Sequence, residues 1–340
     1  MADSVFLKAC RGEPVPHTPI WLMRQAGRYM KEYRELRSRV SFLELCSRPE
    51  LAAEVTVHAC QVLGTDAAIL FADILLVVES LGLGLDFVKG DGPQITPAVR
   101  DAAAIDSLRE ADPDELSHVY EAVRLIRAEL PAETALIGFA GAPFTVASYM
   151  IEGGPSRDFE HTKRIMYGDE GAWRALMEKI ARATSAYINR QIEAGADAVQ
   201  LFDSWVGCLD PYDYRRYVMP YSKQVLDALP AGVPRIHFGK GTGLLLDEIR
   251  EAGGTVVGID YMTPLDRARQ QLGDTPVQGN LDPVLLLTDR KIIEEKARKV
   301  LEQAGPVGHI FNLGHGILPP TPVDNVKFLV DLVHEVSACG

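Results

Sequence analysis

Short apolar runs recur along the chain, and at five places each follows a helical stretch that closes on glycine: VLGTDAAILFAD, EAGADAVQLFDS, PAGVPRIHFGK, EAGGTVVGIDY and QAGPVGHIFNLG. Gly64, Gly195, Gly232, Gly253 and Gly305 suit the left-handed position that ends a helix, where a side chain costs energy. The apolar runs after them suit strands covered by helices on both faces, as in a parallel sheet. PIWLMRQ, TALIGFAG and TPVQGNL complete a set of strands expected at 20–24, 67–73, 135–140, 197–203, 235–239, 256–261, 276–280 and 309–313. Between them lie helical patterns, such as WRALMEKIARATSAYINRQIEAG and a capping-box start at Ser47-Arg48-Pro49-Glu50 before LAAEVTVHACQVLG. Eight such units predict an α/β fold, a (β/α)8 TIM barrel as one domain over residues 1–340, with long strand-end loops and a short N-terminal extension. A doubly wound open sheet is the alternative. The polar stretch from about 100 to 133 reads as an exposed helical excursion.

Composition narrows what such a barrel binds. The 340 residues are 47% hydrophobic and carry a net charge of −12, from 47 acidic and 35 basic side chains. That balance argues against a general nucleic-acid or anionic-membrane surface, while leaving room for one basic pocket. WLMRQAGRYMKEYRELR, with Arg24, Arg28, Lys31, Arg34 and Arg37, is where such a pocket is expected. The N-terminus has no basic segment followed by an apolar run, and AAILFADILLVV is interrupted by Asp73 and too short to span a bilayer. The five scattered cysteines, Cys10, Cys46, Cys60, Cys208 and Cys339, form no C-x-x-C pair. A disulfide framework or thiolate zinc site is therefore not expected, a reducing cytoplasm is, and most of these thiols are expected in the core.

In a (β/α)8 barrel the chemistry sits at the C-terminal ends of the strands. There the sequence offers Arg24, Gln25 and Arg28, then Asp73, Tyr149, Asp203 with Ser204, His237 with Lys240, Asp260, Asn280 with Asp282, and Asn312 with His315. Arg24 and Arg28, four apart, suit either a solvated helix face or a grip on carboxylate or phosphate, which planar guanidinium groups match. Lys31 and Arg34 read as surface charges. A carboxylate at Asp73, between AAILFA and ILLVV, needs either an arginine partner or a ligand that offers N–H groups or positive charge. Tyr149 and Ser204 suit a turn cap or a core hydrogen bond as well as a ligand contact. His315, flanked by glycines in NLGHGI, is placed where backbone can approach a ligand closely. Metal catalysis is not expected: His309 and His315 lie roughly 20 Å apart along a regular strand, and no H-x-x-x-H or carboxylate cluster accompanies them. GKGTG is neither a Walker loop nor a G-x-G-x-x-G, and reads as a turn.

PIWLMRQAGRYMKEYR and GFAGAPFTVASYMIEG closely resemble the two signature segments of the uroporphyrinogen decarboxylase family, and LFADILLVVESLG, LFDSWVG and FNLGHGI extend the likeness over essentially the whole chain. The resemblance implies a cytoplasmic, cofactor-free barrel enzyme, usually a homodimer, which removes the four acetate carboxyl groups of uroporphyrinogen to give coproporphyrinogen in heme biosynthesis. It implies that Arg24, Gln25 and Arg28 bind substrate carboxylates, with Arg37 a weaker candidate, and that Ala26 and Gly27 between them belong to the substrate-binding set. It further implies that Asp73 binds the central pyrrole N–H groups, with Tyr149, Ser204 and His315 at the ring's periphery, and that Asp73 and Arg24 carry the catalysis. Such a substrate has eight carboxylates around an apolar tetrapyrrole, and calls for peripheral cations about a central acceptor.

Three rivals remain at this level. A corrinoid-linked methyltransferase of the same superfamily resembles a pattern with zinc ligands H-x-C, whereas this chain has His237-Phe238-Gly239. A Schiff-base lyase would use Lys240. A tetrapyrrole carrier would keep the pocket without turnover.

Overall fold

The computed structural model describes residues 4–88 and 92–338. Among them, nine strands form: β1 (Ala67–Ile69), β2 (Gly84–Val88), β3 (Gly92–Thr96), β4 (Ala135–Gly141), β5 (Ala198–Asp203), β6 (Arg235–Gly239), β7 (Val256–Gly258), β8 (Val277–Leu281) and β9 (His309–Leu313). Seven of them make one curled parallel sheet in the order β1-β4-β5-β6-β7-β8-β9. Every residue of β4, β8 and β9 is buried, as expected for strands with helices outside and a filled barrel inside.

The gap between β9 and β1 is bridged by the stretch around Ile20. Phe311 N–H donates to the Pro19 carbonyl at 2.8 Å, and Trp21 N–H donates back to Phe311 at 3.3 Å. On the other side Asp66 N–H donates to the Ile20 carbonyl at 2.9 Å, and Ile20 N–H donates to the Asp66 carboxylate at 2.7 Å. The strand expected at 20–24 thus contracts to a single parallel bridge at Ile20, because a side chain takes the place of a ladder carbonyl and the chain turns at once. The strand expected at 67–73 likewise stops at Ile69. Beyond it, Phe71 N–H is claimed by the Thr56 hydroxyl at 3.0 Å, which pulls the chain off the ladder and leaves Asp73 in a turn.

Inside the barrel, side chains from separate staves meet. Trp21 Nε1 donates to Gln278 at 2.9 Å, and Gln278 donates to Gln200 at 2.9 Å, all three fully buried. The chain of donors ends at Gln200, whose own Nε2 has no hydrogen-bond partner among the described residues, in a layer that apolar side chains otherwise fill.

The helices depart from expectation in two places. The helix Pro49–Leu63 starts on Arg48 with no side-chain cap, while the capping box belongs to Ser41 and Glu44, one helix earlier. The helix Ser117–Glu129 is no exposed excursion: Val119, Tyr120, Ala122, Val123 and Ile126 are buried. The antiparallel hairpin β2–β3, in a stretch where patterning assigned no element, inserts between β1 and β4. All five helix-closing glycines do take positive φ, from 71° at Gly64 to 123° at Gly195.

Cys10, Cys46 and Cys60 are buried free thiols and Cys208 is a partly buried one, while Cys339 lies outside the described residues. No helix among the described residues is long and apolar enough to cross a membrane.

Candidate active site

The polar groups named from the sequence fall on one end of the barrel. Arg24 follows the Ile20 bridge, Asp73 follows β1, and Tyr149 lies on the helix Pro143–Glu152 after β4. Ser204 follows β5 directly, Lys240 follows β6 and His315 follows β9. Parallel strands all point their C-terminal ends the same way, so residues distant in sequence share one rim.

Arg24 holds a left-handed backbone, φ 64°, which costs a non-glycine residue on the order of 1 kcal/mol. Its side chain is exposed on the rim, as is that of Arg28, and neither forms an ion pair with a protein carboxylate among the described residues. The loop beneath them is tied down from inside. Gln25 is buried, its side chain accepting from Leu22 N–H at 3.2 Å and donating to the Ala67 carbonyl at 3.1 Å, while Tyr29 OH donates to the Gln25 carbonyl at 2.6 Å. Ala26 and Gly27 are partly buried in the same loop. At Gly27 an added Cβ would stand 2.9 Å from the Arg24 carbonyl, so the tight turn needs a residue without a side chain.

Arg34, which the sequence left among surface charges, donates to the carbonyls of Arg28 at 3.0 Å and Tyr29 at 2.7 Å. Arg37 donates to the Val40 carbonyl and lies over the Phe42 ring at 5.8 Å. Lys31 pairs with Glu35 on the exposed helix face.

Asp73 is partly buried, and one carboxylate oxygen accepts from Leu75 N–H at 2.9 Å. Burial raises its pKa from 3.8 to about 6, with the Leu75 hydrogen bond and the Arg24 charge pulling the other way. Among the described residues it has no salt bridge, so the arginine partner that one reading required is replaced by a nearby, unpaired Arg24. Burial also raises the Tyr149 phenol, further raised by Asp73 and lowered by Arg24, so these three groups share one electrostatic environment.

Tyr149 lies against Trp205, ring centroids 4.0 Å apart, and Phe159 meets Trp205 edge-on at 4.9 Å. Trp205 N–H donates to the Thr145 hydroxyl at 3.3 Å, and that hydroxyl donates to the buried Asp203 at 2.8 Å. Ser204, next in the chain after Asp203, is partly buried.

His315 is partly buried, and its Nδ1 accepts from Gly316 N–H at 2.8 Å. Burial, with the charges of Arg24 and Lys240, lowers its pKa to about 4. The imidazole is therefore neutral at pH 7 and offers Nε2–H as a donor. The glycines beside it serve protein packing: a Cβ on Gly314 would stand 2.0 Å from Tyr261 N, and one on Gly316 would stand 2.5 Å from Arg24 Cδ.

Sequence reasoning missed Trp205, Thr145, Arg34 and the approach of Lys240 to His315. Thr145 and Trp205 carry no periodic signal. Lys240 is legible as a strand-end residue, but its GKGTG context reads as a turn.

The rim therefore combines unpaired cations, one partly buried acid and an aromatic wall. The family model described as "Uroporphyrinogen decarboxylase (URO-D)" matches residues 1–336. The chain belongs to that family. Uroporphyrinogen decarboxylase of Sorangium cellulosum is 58% identical over 335 residues, covering 97% of this chain and 96% of the relative. A uroporphyrinogen decarboxylase of Thermus thermophilus is 52% identical and covers 99% of both. Among solved structures, a methyltransferase from Methanosarcina mazei superposes with a TM-score of 0.80 over 97% of each chain at 20% identity, a likeness of fold alone. The fold is accordingly a TIM-barrel-like α/β architecture, and the methyltransferase rival keeps only that shared scaffold.

Proposed function

We propose that the chain decarboxylates uroporphyrinogen to coproporphyrinogen, with Asp73 as the central acceptor and the rim cations as carboxylate anchors. The observation that carries this reading is the pairing of a partly buried, unpaired Asp73 with exposed, unpaired Arg24 and Arg28 on one rim, in a member of this family.

Arg28 and Arg24 suit the substrate's peripheral carboxylates, and Lys240 is a further cation on the same rim. Gln25 acts through the loop it pins, and Arg34 likewise holds the carbonyls beneath Arg28. Arg37 is spent on Val40 and Phe42, which supports a role in shaping the loop. Tyr149, Ser204 and the neutral His315 are donors at the ring's edge.

Loss of carbon dioxide leaves an electron pair that needs a sink. A pyrrole protonated on a ring carbon becomes a cation that accepts the pair, so the substrate supplies the sink itself. Asp73 stabilises that cation: at about 4 Å and an effective dielectric near 20, the pair is worth roughly 4 kcal/mol before desolvation. That corresponds to up to about three powers of ten in rate. The proton donor is Arg24, a water, or a substrate carboxyl held by Arg28.

A cytoplasmic setting is supported by the four free thiols among the described residues. A homodimer joined at the site-bearing end is supported by exposed apolar side chains after successive strands: Tyr212, Leu244, Met262 and Val284. Light scattering of wild type against Leu244→Asp tests it.

The deciding experiment is an anaerobic assay with reduced uroporphyrinogen, following the less carboxylated porphyrins. Turnover by wild type and none by Asp73→Asn supports the reading. Binding of the tetrapyrrole without turnover makes the chain a carrier.

A further inference from the structure

At the opposite end of the barrel, three side chains far apart in sequence converge. His17 Nε2 lies 3.1 Å from one oxygen of Asp66, and His334 Nε2 lies 2.8 Å from the other. The two imidazole centroids are 4.6 Å apart, and the donor atoms of all three residues lie within 4.8 Å of one another. We propose that His17, Asp66 and His334 form a structural site for one divalent transition-metal ion, zinc foremost, that staples both ends of the chain to the barrel seam.

Two imidazoles and a carboxylate are a ligand set suited to zinc. Bonds of about 2.0 to 2.1 Å in a tetrahedron place neighbouring ligand atoms roughly 3.4 Å apart. The two imidazole-to-carboxylate edges, 3.1 and 2.8 Å, are already close to that value. The remaining edge closes by small rotations of the rings. The side chains are 26%, 16% and 30% exposed, so the fourth position opens to water.

The ligands are also held from outside the cluster. Asp66 accepts from Ile20 N–H at 2.7 Å, which fixes the plane of its carboxylate. Thr18 N–H donates to the Ser337 hydroxyl at 2.8 Å, which fastens the segment bearing His17 to the helix bearing His334. Such second contacts orient ligands for an ion. Neither Nδ1 has a hydrogen-bond partner among the described residues, so each ring is free to carry its N–H on Nδ1 and present the Nε2 lone pair to an ion.

The test uses full-length protein stripped with chelator and dialysed. Wild type is expected to take up one Zn2+ per chain, to give the strong visible bands of four-coordinate Co2+ when cobalt replaces it, and to rise in Tm by roughly 5 °C at a hundredfold excess over Kd. His17→Gln and His334→Gln should each lose the cobalt bands and the Tm rise, while His161→Gln keeps both and decarboxylation is unchanged throughout. Absence of stoichiometric binding in wild type, or equal binding by the His17→Gln and His334→Gln variants, overturns the proposal. Its failure leaves the decarboxylase reading untouched, because the sites lie at opposite ends of the barrel.

Discussion

Gly316 lies directly beneath the side chain of Arg24: a Cβ there would stand 2.5 Å from Arg24 Cδ and 2.8 Å from Cγ. The crowding falls on the middle of the arginine, so the whole side chain has to leave its position. Gly316→Ala is therefore expected to fold normally and to lose roughly 10- to 100-fold in turnover, the scale of a small misplacement in an oriented site. Gly314→Ala is the contrast. Its Cβ would meet Tyr261 N at 2.0 Å, a backbone atom that cannot give way, and this variant should be unstable. Steady-state kinetics and thermal unfolding on both variants check the pair; full activity in Gly316→Ala would mean that the placement of Arg24 does not limit the reaction.

Asp73 trades stability for chemistry. Its pKa is raised from 3.8 to about 6 by burial, so folding favours the protonated form. Its favourable contribution is complete below about pH 3.8 and is lost as pH rises through about 6. Above that, the buried charge costs on the order of 2 kcal/mol. Asp73→Asn should thus unfold at a higher temperature than wild type at pH 8 and not at pH 4, while losing most turnover. In wild type the rate should fall as pH drops through about 6, where the acceptor is neutralised. Thermal scans at the two pH values and a pH–rate profile check this. A destabilised Asp73→Asn at pH 8 would contradict it.

The repeating glycine-to-strand pattern made the barrel legible, because a strand with helices outside and side chains inside shows a bare apolar run, as β4 and β9 do. The rim was legible for a related reason: Asp73 and Arg24 break apolar runs at strand ends. What patterning could not reach was contact at long range. The closure at Ile20 rests on an Asp66 side chain acting for a backbone carbonyl, and a strand period does not encode that substitution. The glycines flanking His315 were read as room for a ligand, yet their neighbours are Tyr261 and Arg24. His17, Asp66 and His334 form no local ligand spacing, since Asp66 and His334 stand 268 positions apart in the chain and meet only through the closed barrel.

Arg34 and Arg28 act in different ways on the same loop. Arg28→Ala should raise KM for the polycarboxylate by about tenfold or more, from loss of one charge-assisted contact of roughly 1.5 to 3 kcal/mol. Arg28→Lys should recover only part, since the planar fork is gone. Arg34→Ala removes donors to the carbonyls of Arg28 and Tyr29, so it should also raise KM, although Arg34 is placed to touch the loop and not the substrate. Addition of guanidinium ion separates them, with rescue expected for Arg28→Ala. Equal kinetics for Arg34→Ala and wild type would show that the loop holds itself.

Thr145 donates to Asp203 at 2.8 Å, and the second oxygen of Asp203 has no hydrogen bond among the described residues, with His237 Nε2 3.9 Å from it. Both Asp203 and His237 are fully buried. Removing the hydroxyl leaves a buried carboxyl group with no hydrogen-bonding partner, which costs about 2 to 4 kcal/mol. Thr145→Val keeps the shape of the side chain, so packing is preserved and only the donor is lost. The same hydroxyl also accepts from Trp205 N–H at 3.3 Å, and Trp205 supports the Tyr149 ring at 4.0 Å. Thr145→Val should therefore lower Tm by roughly 4 to 8 °C and loosen the aromatic wall, seen as red-shifted tryptophan emission. Thr145→Ser restores the donor while leaving a small void, so it should recover most of the stability and the native emission. If Thr145→Val were as stable as wild type, the hydroxyl would not be what keeps a carboxyl group tolerable in this core, and water would have to reach Asp203 instead.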